Sequence, residues 1–280
     1  MSGRRAGAGR GGAASGRQAG AKTDGSINVP ASVAGAPLPG AQNLRGHLGQ
    51  GDQTDRLTQD TRNQTPGAGA SDTTVNSDAQ GPVLSIPFEN SSSPETGEAP
   101  IAEEGVAFDG SGATFSTDAQ LAIPDAGNLG QAEQGTISFC LQPQWSGNEQ
   151  TDASLVNLHT NTFENRLHIA KNGQYLRLLL ADNTGHESGA SLTISGWQPG
   201  ERHLVTATWG QALASLYVDG QLVGANTYQG ELQIPPGTPM YIGSDVPGGN
   251  PGARGSLSNF QVYNRVLPPE EVVGFTSNCQ

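Results

Sequence analysis

An all-β fold is predicted for residues 83–280, preceded by an extended, low-complexity arm over residues 1–82. Three observations predict it. Residues 1–87 contain no Phe, Tyr or Trp, and aromatic residues begin at Phe88. From Val83 onward the apolar residues alternate with polar ones, the period of a half-buried strand. Turn signals, above all Asn172-Gly173 and Asp219-Gly220, recur between these runs. Many short strands with frequent turns imply a sandwich or a barrel.

The arm cannot fold alone. Ordering each residue costs about 1–2 kcal/mol of backbone entropy, and this stretch has little apolar surface to offset it. Its first 22 residues are Gly/Ala-rich and carry Arg4, Arg5, Arg10, Arg17 and Lys22 with no acid. A phosphate-binding reading of that stretch lacks any aromatic to stack on bases, so a partner-bound or solvated arm is favoured. Leu44 and Leu48 are spaced for one helical turn, but Gly46, Gly49 and Gly51 oppose a lasting helix. Arg4, Arg5, Arg10, Arg17, Leu44 and Leu48 are the candidate partner contacts. Pro30, Pro37, Pro39 and Pro66 favour extended backbone.

Charge divides in the same place. Residues 1–82 carry a net +2, and residues 83–280 carry 6 basic and 20 acidic residues, a net −14. An acidic globule repels polyanions, so nucleic acid is disfavoured as a partner. No apolar stretch follows the basic N-terminus as a secretory signal would require, and no run approaches membrane-spanning length. Synthesis in a cytoplasm and no membrane partner are therefore expected.

The strands are predicted in order at Val83–Phe88, Gly105–Phe108, Leu121–Ile123, Thr136–Leu141, Ser154–Leu158, Arg166–Ala170, Tyr175–Ala181, Ser191–Ile194, His203–Trp209, Ser215–Val218, Gln221–Gly224, Met240–Ile242 and Leu257–Tyr263. A type I′ turn at Asn172-Gly173 pairs Ala170 with Tyr175 and His168 with Arg177. Leu167, Ile169, Leu176 and Leu178 then share a core face, while Arg166, His168, Tyr175 and Arg177 share the opposite one. A second I′ turn at Asp219-Gly220 pairs Val218 with Gln221, Tyr217 with Leu222 and Leu216 with Val223. Both faces of that hairpin carry apolar residues, so it is expected deep in a sheet. A short helix is predicted at 267–273, where prolines and Glu270-Glu271 suit a first turn and Gly274 can end it. Cys140 and Cys279 are too few for a disulfide framework. They are read as a buried thiol and a tail thiol, with a single clasp as the alternative.

Several blocks together resemble a known family. They are Val106-Ala107-Phe108-Asp109-Gly110, Gly135-Thr136-Ile137-Ser138-Phe139, Leu216-Tyr217-Val218-Asp219-Gly220-Gln221-Leu222-Val223 and Val262-Tyr263-Asn264-Arg265-Val266-Leu267. Residues 83–275 resemble a laminin G-like domain of the concanavalin A-like lectin/glucanase superfamily. The resemblance implies a jelly-roll sandwich of two antiparallel sheets. Thr136–Leu141 is also similar to pentraxins, which carry a cysteine where Cys140 stands. Their partner cysteine falls near Thr206, so that disulfide cannot form here. Relatives often bind calcium, but this chain has Ser258-Asn259 where many have an acidic residue. No metal or other cofactor is expected; Asp109 and Asp125 are the first places a structural calcium would sit.

Catalysis is not expected. Glycosidases of the superfamily place carboxylates at alternating positions of one strand, and no Glu-x-Asp-x-Glu run occurs. Glu103-Glu104 and Glu270-Glu271 are adjacent pairs and cannot share a strand face. His47, His159, His168, His186 and His203 show no metal spacing. His203 reads as a satisfied strand residue and His186 as solvated. For a glycan, Trp145 is the best stacking platform, with Trp197 and Trp209 read as packing. The polar face of Arg166, His168, Tyr175 and Arg177 is the second candidate, against the plainer reading of a solvated or subunit-facing surface. The function expected is a non-enzymatic structural protein, a bacteriophage-type virion component such as a capsid decoration, head fibre or tail attachment. Its arm would grip other protein subunits, and its sandwich would face outward, touching surface glycans. The alternative is a secreted or cell-surface carbohydrate-binding module.

Overall fold

The computed structural model describes residues 81–125, 133–159, 164–228, 230, 232–245 and 251–280. The arm, with Arg4, Arg5, Arg10, Arg17, Leu44 and Leu48, lies outside the described residues.

Among the described residues, thirteen antiparallel strands form the domain. They are β1 (Leu84–Ile86), β2 (Ala102–Phe108), β3 (Ala113–Ile123), β4 (Gly135–Pro143), β5 (Ala153–Leu158), β6 (Arg166–Asn172), β7 (Tyr175–Ala181), β8 (Glu187–Thr193), β9 (His203–Gly210), β10 (Leu213–Val218), β11 (Gln221–Thr227), β12 (Met240–Ile242) and β13 (Gly255–Tyr263). The path runs β11-β10-β9-β4-β13-β3-β12-β5-β6-β7-β8, with β1 on β13 and β2 on β3. The strand β3 carries the sheet from one layer to the other. Its first residues pair with β13 and its last with β12. The two ends of the path then approach each other. Ser188 of β8 donates to the carbonyl of Thr227 on β11, and a Cβ on Gly224 would lie 3.2 Å from the Ser191 carbonyl. The result is a nearly closed jelly-roll sandwich.

One apolar core fills it. Phe88 meets Phe115 edge-on at 6.2 Å, and Phe139 stacks on Phe260 at 5.9 Å; all four are fully buried. Gly243 passes under Phe115 with φ of 78°, where a Cβ would come within 2.1 Å of the ring. Only glycine fits both constraints there.

The β6–β7 hairpin departs from the expected register. Asn172 pairs with Tyr175, and Ala170 with Arg177. The turn is Gly173-Gln174, with positive φ at Gly173 alone, the Gly-X pattern of a II′ turn rather than I′. Each residue faces a partner two positions further on than expected. An even slip leaves the faces unchanged, so Leu167, Ile169, Leu176 and Leu178 are buried as expected. The β10–β11 hairpin keeps Val218 opposite Gln221 and Tyr217 opposite Leu222, and both Asp219 and Gly220 have positive φ. A bulge then places Leu216 opposite Gly224. That hairpin is not deep: β11 ends the path, and Leu222 is 57% exposed.

The helix α1 (Pro269–Gly274) runs on into a 3-10 helix, Phe275–Cys279. The α-helix ends at Gly274 as expected, and the chain continues as the 3-10 turn. Thr136 Oγ1 ties this segment to β4, donating to the Arg265 carbonyl at 2.8 Å and accepting from Leu267 N at 3.0 Å. Val272 buries against Tyr217, Tyr263 and Leu267. The 3-10 helix sets Cys279 beside Leu204 and joins it to Cys140 in a disulfide with Cα atoms 5.4 Å apart. The expectation of free thiols is thus corrected in favour of the clasp. The 3-10 turn, which no local pattern announces, brings the tail back over β4.

Replacing Cys279 by Ser should lower unfolding stability by about 2–4 kcal/mol. Urea denaturation checks this, and reduced wild-type protein should match the variant.

Candidate functional site

The outward face of β5, β6 and β7 carries a connected polar cluster. Asn157 lies opposite His168, Ser154 opposite Ala170, and Ala170 opposite Arg177. A bulge between Ser154 and Val156 shifts the alternation, so Ser154 and Asn157 share the outward side although three residues apart. Asp245, just after β12, reaches over this face. Its Oδ1 accepts from Arg166 NH2 at 2.9 Å and from Asn157 Nδ2 at 2.7 Å. Its main-chain carbonyl also accepts from Asn157 Nδ2, and Asn157 is completely buried.

These contacts fix the proton on His168. Arg166 NH2 lies 3.1 Å from Nδ1, and Ser154 Oγ lies 2.9 Å from Nε2. A guanidinium only donates, so Nδ1 holds a lone pair and Nε2 carries the hydrogen towards Ser154. Burial, then the Arg166 charge, pushes the His168 pKa from 6.5 down to about 4. The imidazole is neutral at physiological pH.

A second network braces the neighbouring turn. Lys171 points to the core side of β6 and is fully buried. Its Nζ donates to the carbonyls of Glu149 at 2.7 Å and Thr151 at 2.6 Å, and sits 5.3 Å from the Trp145 ring. Burial lowers its pKa from the ordinary lysine value, with Glu149 opposing. Arg254 NH2 donates to Glu149 Oε2 at 3.1 Å and to Thr151 Oγ1 at 2.7 Å. The Glu149 carboxyl is held below its usual range by the Ser146 N–H and then by Arg254. Next in the chain, Asp152 accepts from Gly173 N at 3.0 Å and Asn172 Nδ2 at 3.4 Å. Between these networks lies a recess of about 190 Å³, bordered by Asp152, His168, Asn172, Arg177, Leu179 and Asp245.

The structure places His168 and Arg177 at one recess; Arg166 is not part of its lining but binds two residues that are, Asp245 and His168, and exposed Tyr175 lies under the Arg177 guanidinium at 5.3 Å. Trp145 is not among them. It is fully buried, stacks on Trp197 at 6.3 Å and donates from Nε1 to the Ala253 carbonyl at 2.9 Å. Its role is packing, as for Trp197 and Trp209. His203 bonds Asp219 at 3.0 Å and stacks on Trp197 at 3.8 Å. Asp109 folds back onto Ser111, accepting from its N at 2.9 Å and Oγ at 2.7 Å, while Asp125 is buried. Among the described residues no group of three or more His, Cys, Asp or Glu side chains is placed to hold a metal ion.

Sequence reasoning missed Asn157, Lys171 and Asp245. Asn157 interrupts the apolar run of β5, a visible sign of an outward position. Lys171 lies one residue past the expected end of β6 at Ala170. Asp245 is a loop residue, and nothing in its own neighbourhood shows which strand it meets.

A family model described as the concanavalin A-like lectin/glucanases superfamily matches residues 115–273. Among solved structures, the botulinum neurotoxin DC binding domain in complex with SialylT is similar at 14% identity and a TM-score of 0.58, over 71% of this chain and 52% of that one. The botulinum neurotoxin serotype D ligand binding domain in complex with N-acetylneuraminic acid is similar at 13% identity and a TM-score of 0.58, over 71% and 51%. The receptor binding domain of the C/D mosaic serotype gives 12% identity and the same score, over 71% and 51%. This chain thus spans about half the length of these structures, and the likeness is one of fold. No curated protein matches the sequence.

Two outcomes are expected. Unfolded His168 binds a proton below 6.5 that the folded chain refuses until about 4, so stability is full above pH 6.5 and falls through that window, by roughly 1–3 kcal/mol. His159, also lowered by burial, acts in the same direction. His168→Gln should flatten the profile measured by denaturation at each pH. Lys171→Ala should cost about 2–4 kcal/mol, because it strands two carbonyls and opens a cavity; urea titration reads it.

Proposed function

This chain belongs to the concanavalin A-like lectin/glucanase superfamily, and from that premise we propose that it is a non-enzymatic binding protein of a larger assembly. The sandwich presents the β5–β7 recess to glycans. The segment 1–82 docks on neighbouring protein subunits, in the manner of a bacteriophage virion component such as a capsid decoration, head fibre or tail attachment.

One observation carries the non-enzymatic reading. Ser154 and His168 are in hydrogen-bond contact, as a nucleophile and its base would be. But the contact runs the wrong way. A base needs its far nitrogen held by an acceptor that stabilises the imidazolium. Here that nitrogen faces Arg166, a cation that resists a second positive charge. His168 instead donates to Ser154 and cannot take its proton. Asp245 is engaged by Arg166 and Asn157, and Asp152 by Gly173 and Asn172. These groups shape a surface; they are not set up as an acid and a base.

Glycan binding is supported by the recess itself, with fixed polar groups beside the exposed Tyr175 ring. It is also supported by the SialylT and the N-acetylneuraminic acid in the names of two similar structures. The assembly role rests on the arm, whose composition gives it no core of its own. The second reading, a secreted or surface carbohydrate-binding module, is favoured by the Cys140–Cys279 disulfide, since such bonds persist in oxidising surroundings.

A broad glycan array probed with the full chain should light up for at least one saccharide class, and Tyr175→Ala should weaken that signal about tenfold at unchanged thermal stability. Silence across the array would overturn the sugar-binding reading. Trypsin should cut the isolated chain at its arm residues up to Arg62 and spare them in the native assembly. An arm resistant in the isolated chain would sink the docking role.

A further inference from the structure

We infer that the saccharide taken by the β5–β7 recess is anionic, bearing a carboxylate or sulfate, and that Arg177 is the residue that meets its charge. This rests on the sugar-binding reading above and names the ligand class for that site.

The inference comes from which polar groups remain unspent. Three cations stand at or behind the recess. Arg166 is consumed by Asp245, Asn157 and His168. Lys171 is consumed by two main-chain carbonyls and is fully buried. Arg177 differs from both: it is exposed, and among the described residues its contact is the face of the Tyr175 ring, with no hydrogen bond or ion pair. The two carboxylates of the recess are already supplied with donors, Asp245 by Arg166 and Asn157, and Asp152 by Gly173 and Asn172. Acceptors are therefore satisfied from within, and the strongest donor is left facing out.

A ligand for such a surface must bring acceptors. A planar guanidinium with its five N–H groups matches an oxyanion through two parallel hydrogen bonds. The cation–π contact of Arg177 with the Tyr175 ring, 5.3 Å from the centroid, spends none of its N–H groups on a hydrogen bond. The half-buried Leu179 of β7, beside Ala170 of β6, offers the apolar strip that a sugar's C–H face covers. The overall negative charge of the domain does not cancel this. At physiological salt fields decay over about 8 Å, so an oxyanion in contact with Arg177 is governed by its neighbours.

Calorimetric titration of the full chain with three saccharides of matched size tests it: one carboxylated, its carboxyl-reduced neutral counterpart, and one sulfated. Wild-type protein should bind an anionic form at least tenfold more tightly than the neutral one, and the carboxylated and sulfated arms identify which oxyanion is preferred. Arg177→Gln should weaken anionic binding at least tenfold and so abolish the preference over the neutral form, and Arg177→Lys should retain part of it. Circular dichroism confirms that both variants fold. Equal affinity for neutral and anionic forms, or a preference that survives in Arg177→Gln, would overturn the inference and leave sugar binding standing. Failure of all three saccharides to bind would overturn both.

Discussion

A strand cannot turn one residue inward without turning its neighbours outward, and this coupling governs the β6–β7 hairpin. Leu167, Ile169, Leu176, Leu178 and Leu180 are drawn into the core. Burying each such side chain is worth about 1.5–3 kcal/mol, so the hairpin has no freedom to rotate. Arg166, His168, Tyr175 and Arg177 are thereby fixed on the other side. The inward series continues to Lys171, where it meets a charge. The amine is accommodated at the rim of the core by two carbonyls and the Trp145 face. Each of these partners belongs to the chain between β4 and β5. The core requirement of one hairpin therefore also positions the turn beside the recess.

The outward face has a constraint of its own. A half-buried guanidinium without partners costs several kcal/mol, so Arg166 needs Asp245, and Asp245 in turn needs Asn157. The ring of His168 then has no choice of tautomer. This explains how a Ser–His contact arises with a polarity opposite to that of a nucleophile and its base. It is a by-product of satisfying Arg166, and the lowered pKa is its electrostatic signature. A carboxylate at Nδ1 in place of the guanidinium would reverse the polarity of the whole cluster.

The same reasoning explains what is legible in the sequence. Strands such as β6, β7 and β13 announce themselves by alternation, because there the core reads every second residue, while β4, β5 and β9, buried along nearly their whole length, show as short apolar runs between turns. The face assignment of β6 and β7 survives a register two residues away from the expected one, since parity is blind to even slips. Features that break alternation are not legible. The bulge in β5 hides the alliance of Ser154 with Asn157, and the bulge in β10–β11 moves Leu216 off Val223. The first half of β3 escapes the pattern where it leaves one layer for the other. Trp145 looks like a platform because it follows a proline in a loop-like stretch; its burial is imposed by Trp197 and Ala253, more than fifty residues away. Contacts between distant segments, Asp245 with Arg166 and Cys279 with Cys140, leave no trace in local pattern.

The two outer faces of the sandwich are treated differently, and the difference bears on function. Over β4, β9, β10 and β13 the C-terminal segment lies down as a cover. Val272 packs on Tyr217 and Tyr263, Phe275 stacks on Tyr263 at 6.0 Å, and the disulfide holds the end in place. The helix is only six residues long and could not persist unaided, so its contacts must come from the surface it covers. Over β5, β6 and β7 no such cover exists among the described residues apart from Asp245 and its neighbours at one side. The apolar outer face is closed by the chain itself, and among the described residues the polar outer face stays open, with its acceptors satisfied and the Arg177 guanidinium unspent. This asymmetry is what the proposed binding face draws on: one layer is sealed by the C-terminal segment, and the other presents polar groups.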